Sequence, residues 1–260
     1  MSHFHVTLPS DSSMSYYPNN TVAHFKTKLP ETIRLEGEYE VGLAEIIYPH
    51  SWFNVDNSNR RYWFGVKSEG REIKVHYIKT GYYADGAIFA SELTKQGVRA
   101  FSDIADFAVK FSYNPISNKF SIDVQSKGSG HMLYMSSDLQ KLLGIIIGTN
   151  PIGNQVMIAN NVLEVNRGFN LMYVYCDIVS YAAVGDTKAP LLRVCSVNGK
   201  HGEMIRTIFT HPHYIPIARK EFDTIEININ TELGKPMPFT FGKSVVTLHF
   251  RRRHSLLAAS

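Results

Sequence analysis

The sequence predicts an all-β protein, a single jelly-roll sandwich with a small helical insertion. About a dozen short segments alternate apolar with polar residues, whereas only one or two have helical spacing. Several connections are also too long for the short turns of an up-and-down barrel. At 260 residues, the chain has a length common for one large all-β domain.

The clearest predicted strands lie near the end of the chain. Ile225, Ile227 and Ile229 alternate with polar residues, and successive strand residues face opposite sides, so these three side chains share one face. Val246 to Phe250 repeats the pattern just before three arginines. Two strands alone are marginal in water, so earlier segments must supply their neighbours.

Residues 1–21 are predicted to be an N-terminal arm or linker, in which residues 3–7 form either a short arm or an edge strand. One jelly-roll domain is predicted over residues 22–253, followed by a C-terminal tail at 254–260. Its first strands are expected at residues 22–29 and 39–48, each ended by a proline.

The middle of the chain combines predicted hairpins with helical segments. A helix near residues 85–101 has Asp85 in position to cap its first turn, and residues 139–143 form a shorter helix that Gly144 ends. Hairpins are predicted on either side of the longer helix, where Gly, Ser, Asn and Pro separate alternating segments: residues 61–66 with 72–78, and 107–113 with 119–125.

The last third of the chain is rich in strands. Residues 169–179 are the most hydrophobic strand candidate. Strands at 191–197 and 204–209 follow, and Asn198 and Gly199 between them favour a tight hairpin turn.

Composition excludes several classes of protein. A net charge of +4 and scattered basic residues are unlike the basic stripe of a general nucleic-acid binder. The longest apolar runs are too short to cross a membrane, and the N-terminus lacks the pattern of a secretory signal, so synthesis in the cytosol is expected. Cys176 and Cys195 lie in apolar strands without metal-site spacing, which predicts buried, reduced thiols.

The chain has no recognisable catalytic motif, and neither an enzymatic activity nor a cofactor is expected. His211 and His213 are the strongest metal candidates, because alternate residues of a strand point to one side. Pro212 favours a loop instead, and the next acidic residue is the distant Glu221. A surface loop is the preferred interpretation.

Two groups of residues are candidates for binding a partner. Exposed aromatic side chains anchor protein interfaces, and neighbouring aromatic residues on a strand face opposite sides. The candidates for an interface are therefore Tyr16, Tyr17, Trp63, Tyr82 and Tyr83, and core packing is the commoner alternative for each of them taken singly. The second group, Arg251, Arg252 and Arg253, suits contact with nucleic acid or an acidic partner, or else a solvated strand end.

Both ends of the sequence and one central segment carry patterns of packing residues that are characteristic of one family. The N-terminal pattern includes Tyr17 to Thr21, Phe25, Leu29-Pro30, Leu35 to Ile46 and Tyr48-Pro49. The other patterns lie in Leu139 to Gly144, Tyr214 to Pro216, Phe222 to Ile227, Gly242-Lys243 and Leu248 to Arg251. With these residues the chain resembles the minor capsid, or penton, proteins of Polinton (Maverick) elements and adintoviruses, although none of the patterns is a catalytic signature.

The resemblance implies a structural capsid protein with a single jelly roll. It implies a homopentamer at the fivefold vertices of an icosahedral particle, beside a double-jelly-roll major capsid protein. The expected location is the virion capsid, after synthesis in the host cytoplasm and with assembly in the nucleus as one option. Weak contact with packaged DNA is expected, and no membrane partner.

Two other classes of protein remain open from the sequence. A carbohydrate-binding jelly-roll module would present aromatic side chains on one face and bind glycans as a monomer. A cupin-like metalloenzyme would need His211 and His213 to coordinate a metal together with distant ligands.

Overall fold

A computed structural model describes residues 3–68, 72–127, 130–151, 153–164 and 170–253. The predicted tail at 254–260 lies outside these residues. The chain forms two compact units, one of Met1–Trp52 with Gly168–Ser260 and the other of Phe53–Arg167. The sequence predicts one domain with a single inserted helix, so the inserted unit is much larger than expected.

Strands predominate in the first unit, whereas the inserted unit combines strands with helices. The chain starts with β1 (His3–Pro9), β2 (His24–Arg34) and β3 (Tyr39–Pro49). The inserted unit contains β4 (Trp63–Lys67), β5 (Lys74–Tyr77), α1 (Gly86–Ala100), β6 (Phe107–Asn114), β7 (Lys119–Ser126), β8 (Met132–Met135), α2 (Ser137–Leu143) and β9 (Gln155–Ile158). The chain continues with β10 (Leu171–Cys176), β11 (Ala182–Val184), β12 (Thr187–Ala189), β13 (Leu191–Ser196), β14 (Met204–Ile208), β15 (Ile215–Pro216), β16 (Glu221–Asn230) and β17 (Val245–Arg252).

The first unit is a jelly roll of two antiparallel sheets. One sheet has the order β1-β17-β3-β14, with the short β15 also paired to β3, and the other has the order β13-β10-β16-β2. Apart from β10 and β13, which are neighbours in one sheet, successive long strands pass back and forth between the two sheets, which is the winding of a jelly roll. The predicted fold class is confirmed.

The core of this unit follows the period-two pattern of the sequence. Ile225, Ile227 and Ile229 of β16 are fully buried. Alternate residues of β17 from Val246 to Phe250 are also fully buried, and they join the same core. The outward side chains between them are polar or only half-buried, as expected for sheets with one solvated face.

Residues 3–9 form the edge strand β1, which is one of the two alternatives predicted for residues 3–7. Its Leu8 is fully buried, and it pairs with β17 from His3 opposite Arg251 to Pro9 opposite Val245. One strand pairing differs from the prediction. The predicted hairpin at Asn198 and Gly199 is wrong, because β13 pairs with β10 and β14 pairs with β3 in the other sheet. Residues 197–203 thus cross between sheets.

The inserted unit has its own hydrophobic core. Its strands form two three-stranded sheets, β5-β4-β8 and β6-β7-β9. Helix α1 begins as predicted, since the Asp85 carboxylate accepts a hydrogen bond from the Ile88 amide at 2.7 Å. Phe64 of β4 packs on Phe111 of β6 with ring centroids 5.3 Å apart. The two predicted hairpins therefore build this separate core.

Candidate functional site

The two N-terminal tyrosines of the predicted interface differ in exposure. Tyr16 is 67% exposed, whereas Tyr17 is half-buried and its hydroxyl lies 3.2 Å from Thr224 Oγ1 of β16. Backbone amides of both residues donate to the Ser13 carbonyl, at 3.0 and 2.9 Å. The turn is thus held against the jelly roll while the Tyr16 ring extends into solvent, which suits Tyr16 for contact with a partner.

The three aromatic candidates of the inserted unit lie in different environments. Trp63 is half-buried on β4, opposite the exposed Tyr77 of β5. Tyr82 is also half-buried. Tyr83 is only 6% exposed and packs on Phe89 with ring centroids 4.7 Å apart.

Tyr83 is therefore a core residue rather than an exposed anchor. Its hydroxyl donates to the Lys79 carbonyl at 2.7 Å, and burial raises the pKa of this hydroxyl. Its amide donates to the Asn54 side chain, which in turn donates to the Tyr83 carbonyl. These bonds hold the residue facing inward, and only its neighbour Tyr82 retains some exposure.

Sequence reasoning missed an apolar surface on the edge strand β14, which we term the β14 surface. Met204 and Ile208 are 53% and 58% exposed and face outward on either side of Arg206, which pairs with Glu45 of β3. The alternation of Met204, Arg206 and Ile208 with Ile205 and Thr207 indicates a strand, but it does not show which face of the strand is exposed. Because they lie on an edge strand, Met204 and Ile208 make the β14 surface a candidate for contact with a partner.

A second missed surface lies on the outer face of the other sheet and is called the tyrosine platform. Tyr173 and Tyr175 of β10 lie opposite Asn230 and Asn228 of β16. All four side chains are half-buried, while the alternate residues of β10 face the core. Burial, and secondarily Tyr173, raises the pKa of the Tyr175 hydroxyl. This platform is uncharged and combines aromatic rings with amides.

The three arginines at the end of β17 do not form one free cluster. The Arg251 guanidinium carbon lies 3.5 Å from the centroid of the Tyr214 ring, and its Nε donates to Glu40 at 2.6 Å. The Arg252 guanidinium lies beside Gly37, and the Arg253 amide donates to the Glu38 carbonyl at 2.8 Å. All three side chains are exposed, but Arg251 is engaged with Glu40 and Tyr214. Arg252 and Arg253 are therefore better suited to contact with an acidic partner.

The candidate metal ligands lie in the connection between β14 and β15. His211 and His213 are both exposed there. Within the described ranges, no group of three or more His, Cys, Asp or Glu side chains is arranged to hold a metal ion. The predicted loop location of the two histidines is confirmed.

Both cysteines are buried free thiols, as predicted. Burial raises the pKa of Cys176 to about 12 and that of Cys195 to about 11. A thiol held in its neutral form is a poor nucleophile and a poor metal ligand. The cysteines therefore act as core residues of the jelly roll.

No helix of the part described is both long and apolar enough to span a bilayer.

Comparison with known proteins gives a likeness in structure but not in sequence. No protein-family model and no curated protein matches the chain. Among solved structures, the chain is similar to the crystal structure of the mavirus penton protein, with a TM-score of 0.53 and 15% sequence identity. The alignment covers 96% of this chain and 99% of that chain. The resemblance to penton proteins is thus confirmed at the level of fold.

Proposed function

We propose that this chain is a structural capsid protein that forms the pentameric vertex of an icosahedral particle of a Polinton-type element. The likeness to the mavirus penton protein carries the proposal, because it extends over nearly the full length of both chains. A partial likeness to one jelly roll would be much weaker support, since this fold serves many unrelated functions. The proposed role is non-enzymatic and needs no cofactor.

A closed ring of five copies requires two different surfaces that complement each other. The β14 surface is proposed as one of them, because Met204 and Ile208 are exposed apolar groups on an edge strand. Tyr16 is proposed as a further anchor, because its ring is exposed while its backbone is held by Ser13. Tyr17, Trp63 and Tyr82 remain candidates at the rim of such contacts, each being half-buried.

The proposed partners are further copies of this chain and a double-jelly-roll major capsid protein. Arg252 and Arg253 are proposed to make weak contact with packaged DNA, because both side chains are exposed. The proposed location is the virion capsid, after synthesis in the host cytoplasm and with assembly in the nucleus as one option.

Negative-stain electron microscopy of the purified chain tests the proposal. We expect particles whose averaged end views have fivefold rotational symmetry. Co-expression with a double-jelly-roll major capsid protein should add density at the vertices of the resulting shells. The proposal would be contradicted by two results together: shells whose vertices lack this chain, and a monomeric state of this chain when it is expressed without the major capsid protein.

A carbohydrate-binding module is the second candidate, because the tyrosine platform offers it a specific site. Tyr173 and Tyr175 give apolar ring faces, and Asn228 and Asn230 give amides that both donate and accept hydrogen bonds to hydroxyl groups. Glycan-array binding by the chain, lost in a Tyr173→Ala/Tyr175→Ala variant, would support this function. It is compatible with a capsid role if the chain is also pentameric.

A further inference from the structure

Three histidines meet on the outer face of the jelly roll where its first and last strands pair. His3 and His5 are alternate, exposed residues of β1. In the antiparallel register, His5 lies opposite His249 of β17 and His3 lies opposite Arg251. The edge strand β1 therefore pairs with β17, and both strands of this pair carry imidazole side chains on the outer face.

The rings are close enough to interact directly. The His5 and His249 rings stack with centroids 4.4 Å apart and an interplanar angle of 20°. The His3 ring approaches His249 edge-on at 5.7 Å. The Tyr214 hydroxyl lies 2.7 Å from His249 Nδ1. A neutral imidazole can accept a hydrogen bond from the hydroxyl at this nitrogen, whereas an imidazolium can only donate one to the hydroxyl oxygen.

The charges around the cluster do not compensate for added positive charge. On β17, Arg251 is already cationic. The two carboxylates of β3 are both engaged with arginines, Glu40 with Arg251 and Glu45 with Arg206. The segment that packs on β3 beside His249 brings Tyr214 and a further exposed histidine, His213. The cluster thus lies beside a cation and a further imidazole, and both acids of β3 are already paired with arginines.

We propose that His3, His5 and His249 form a pH-sensitive clasp that holds β1 on β17 at neutral pH and releases it on acidification. Imidazole is the side chain whose charge ordinarily changes between pH 5 and 8. Protonation places like charges on stacked rings beside the cationic Arg251, which lies opposite His3. The clasp depends only on the jelly roll and is independent of the proposed capsid role.

The direction of the effect follows from His249. Burial lowers its pKa, and His5, His3 and Arg251 lower it further. The unpaired strand therefore binds protons more readily than the paired one, so pairing is favoured at higher pH. The stabilisation is complete above the ordinary histidine pKa of about 6.5 and is lost as pH falls below it.

Release should begin at the N-terminal end of β1. Its other end is anchored by the buried Leu8 and by Ser10, whose amide donates to the Ser244 carbonyl at 2.8 Å. The end that carries His3 is held by the half-buried Phe4, which stacks on Phe250 at 4.7 Å and lies 6.5 Å from Tyr39. Detachment would free the backbone groups of β17 to pair with another strand.

Hydrogen exchange of the intact chain, followed by mass spectrometry, tests the clasp. Protection of the amides of residues 4–8, after correction for the intrinsic exchange rate, should fall about tenfold between about pH 7.5 and about pH 5. The amides of β10, a central strand of the other sheet, provide the internal reference. A protection of β1 that does not change relative to β10 would overturn the proposal.

Two variants separate the cluster from other histidines. His3→Gln/His5→Gln removes both imidazoles of β1 at exposed positions, and the fall in protection should become clearly smaller, because only the burial of His249 and its neighbour Arg251 then remain. His24→Gln is the matched control, because His24 is exposed on β2 of the other sheet and pairs with Glu226. The His24→Gln variant should show the same fall in the protection of the β1 amides as the unmodified chain. An equal fall in the double variant and in the unmodified chain would also overturn the clasp.

Discussion

Ser10 and Ser244 join the two ends of the jelly roll by reciprocal hydrogen bonds. The Ser10 amide donates to the Ser244 carbonyl at 2.8 Å, and the Ser244 amide donates to Ser10 Oγ at 3.0 Å. Both residues are buried, and Ser244 Oγ also donates to the Val22 carbonyl at 2.6 Å. The pair fixes the register of the first strand on the last one.

Replacement of Ser244 by alanine should destabilise the fold. The half-buried Val22 carbonyl would lose its hydroxyl donor, and the loss of a typical hydrogen bond costs about 0.5–1.5 kcal/mol. Urea unfolding followed by circular dichroism measures the loss. Ser15→Ala is the control, because Ser15 is exposed, and it should change the free energy of unfolding by less than about 0.5 kcal/mol. Equal midpoints for the two variants would contradict this role of Ser244.

Gly42 of β3 should tolerate no side chain. A Cβ there would lie 2.8 Å from Pro212 Cβ and 2.9 Å from the His213 carbonyl oxygen, so the segment before β15 would have to move. We expect Gly42→Ala to cost about 1–3 kcal/mol in thermal or urea unfolding. Gly81→Ala is the comparison, because its Cβ would meet Tyr83 at an ordinary 3.8 Å. A Gly42→Ala protein as stable as Gly81→Ala would refute the close approach.

The β14 surface should control assembly without controlling folding. Ile208→Asp places a charge on an exposed apolar position, so the monomer should keep its stability within about 0.5 kcal/mol while the proposed pentamer should dissociate. Sedimentation velocity distinguishes the two effects. Leu233→Asp is the matched control, because Leu233 is 84% exposed but lies outside β14. If Leu233→Asp dissociates the ring and Ile208→Asp does not, the proposed surface is wrong.

The two thiols should be unreactive until the jelly roll opens. Burial raises both thiol pKa values, so at about pH 8 neither thiol should react rapidly with a disulfide reagent in the folded chain, and both should react in denaturant. Their contribution to stability is fully present below the unfolded thiol pKa of about 8.5 and is lost as pH rises toward the folded values. Rapid labelling of either native thiol would contradict their burial.

Local patterns in the sequence were sufficient for the elements that bury one face. The isoleucines of β16 and the alternation in β17 predict their buried faces, because period two is imposed by one-sided burial. Asp85 and Gly144 likewise mark the start of α1 and the end of α2, with Gly144 at a φ of +75°. Such signals depend on neighbours within a few residues of one another.

Properties that depend on distant partners were not predictable in the same way. The strands β13 and β14 follow each other across a favourable turn sequence, yet each is held by a different sheet. Tyr82 and Tyr83 are equivalent in the sequence, and only the core around Phe89 decides which one is buried. The meeting of His3, His5 and His249 depends on a register set by residues more than 200 positions apart.

The solution mass of the purified chain tests the central claim most directly. Light scattering coupled to size-exclusion chromatography at neutral pH should give a mass near five times 29.4 kDa, because the proposed vertex is a homopentamer. A metal assay on the same sample should find no stoichiometric metal. A monomer that binds glycans through the tyrosine platform, or a metal bound at one equivalent per chain, would contradict the account.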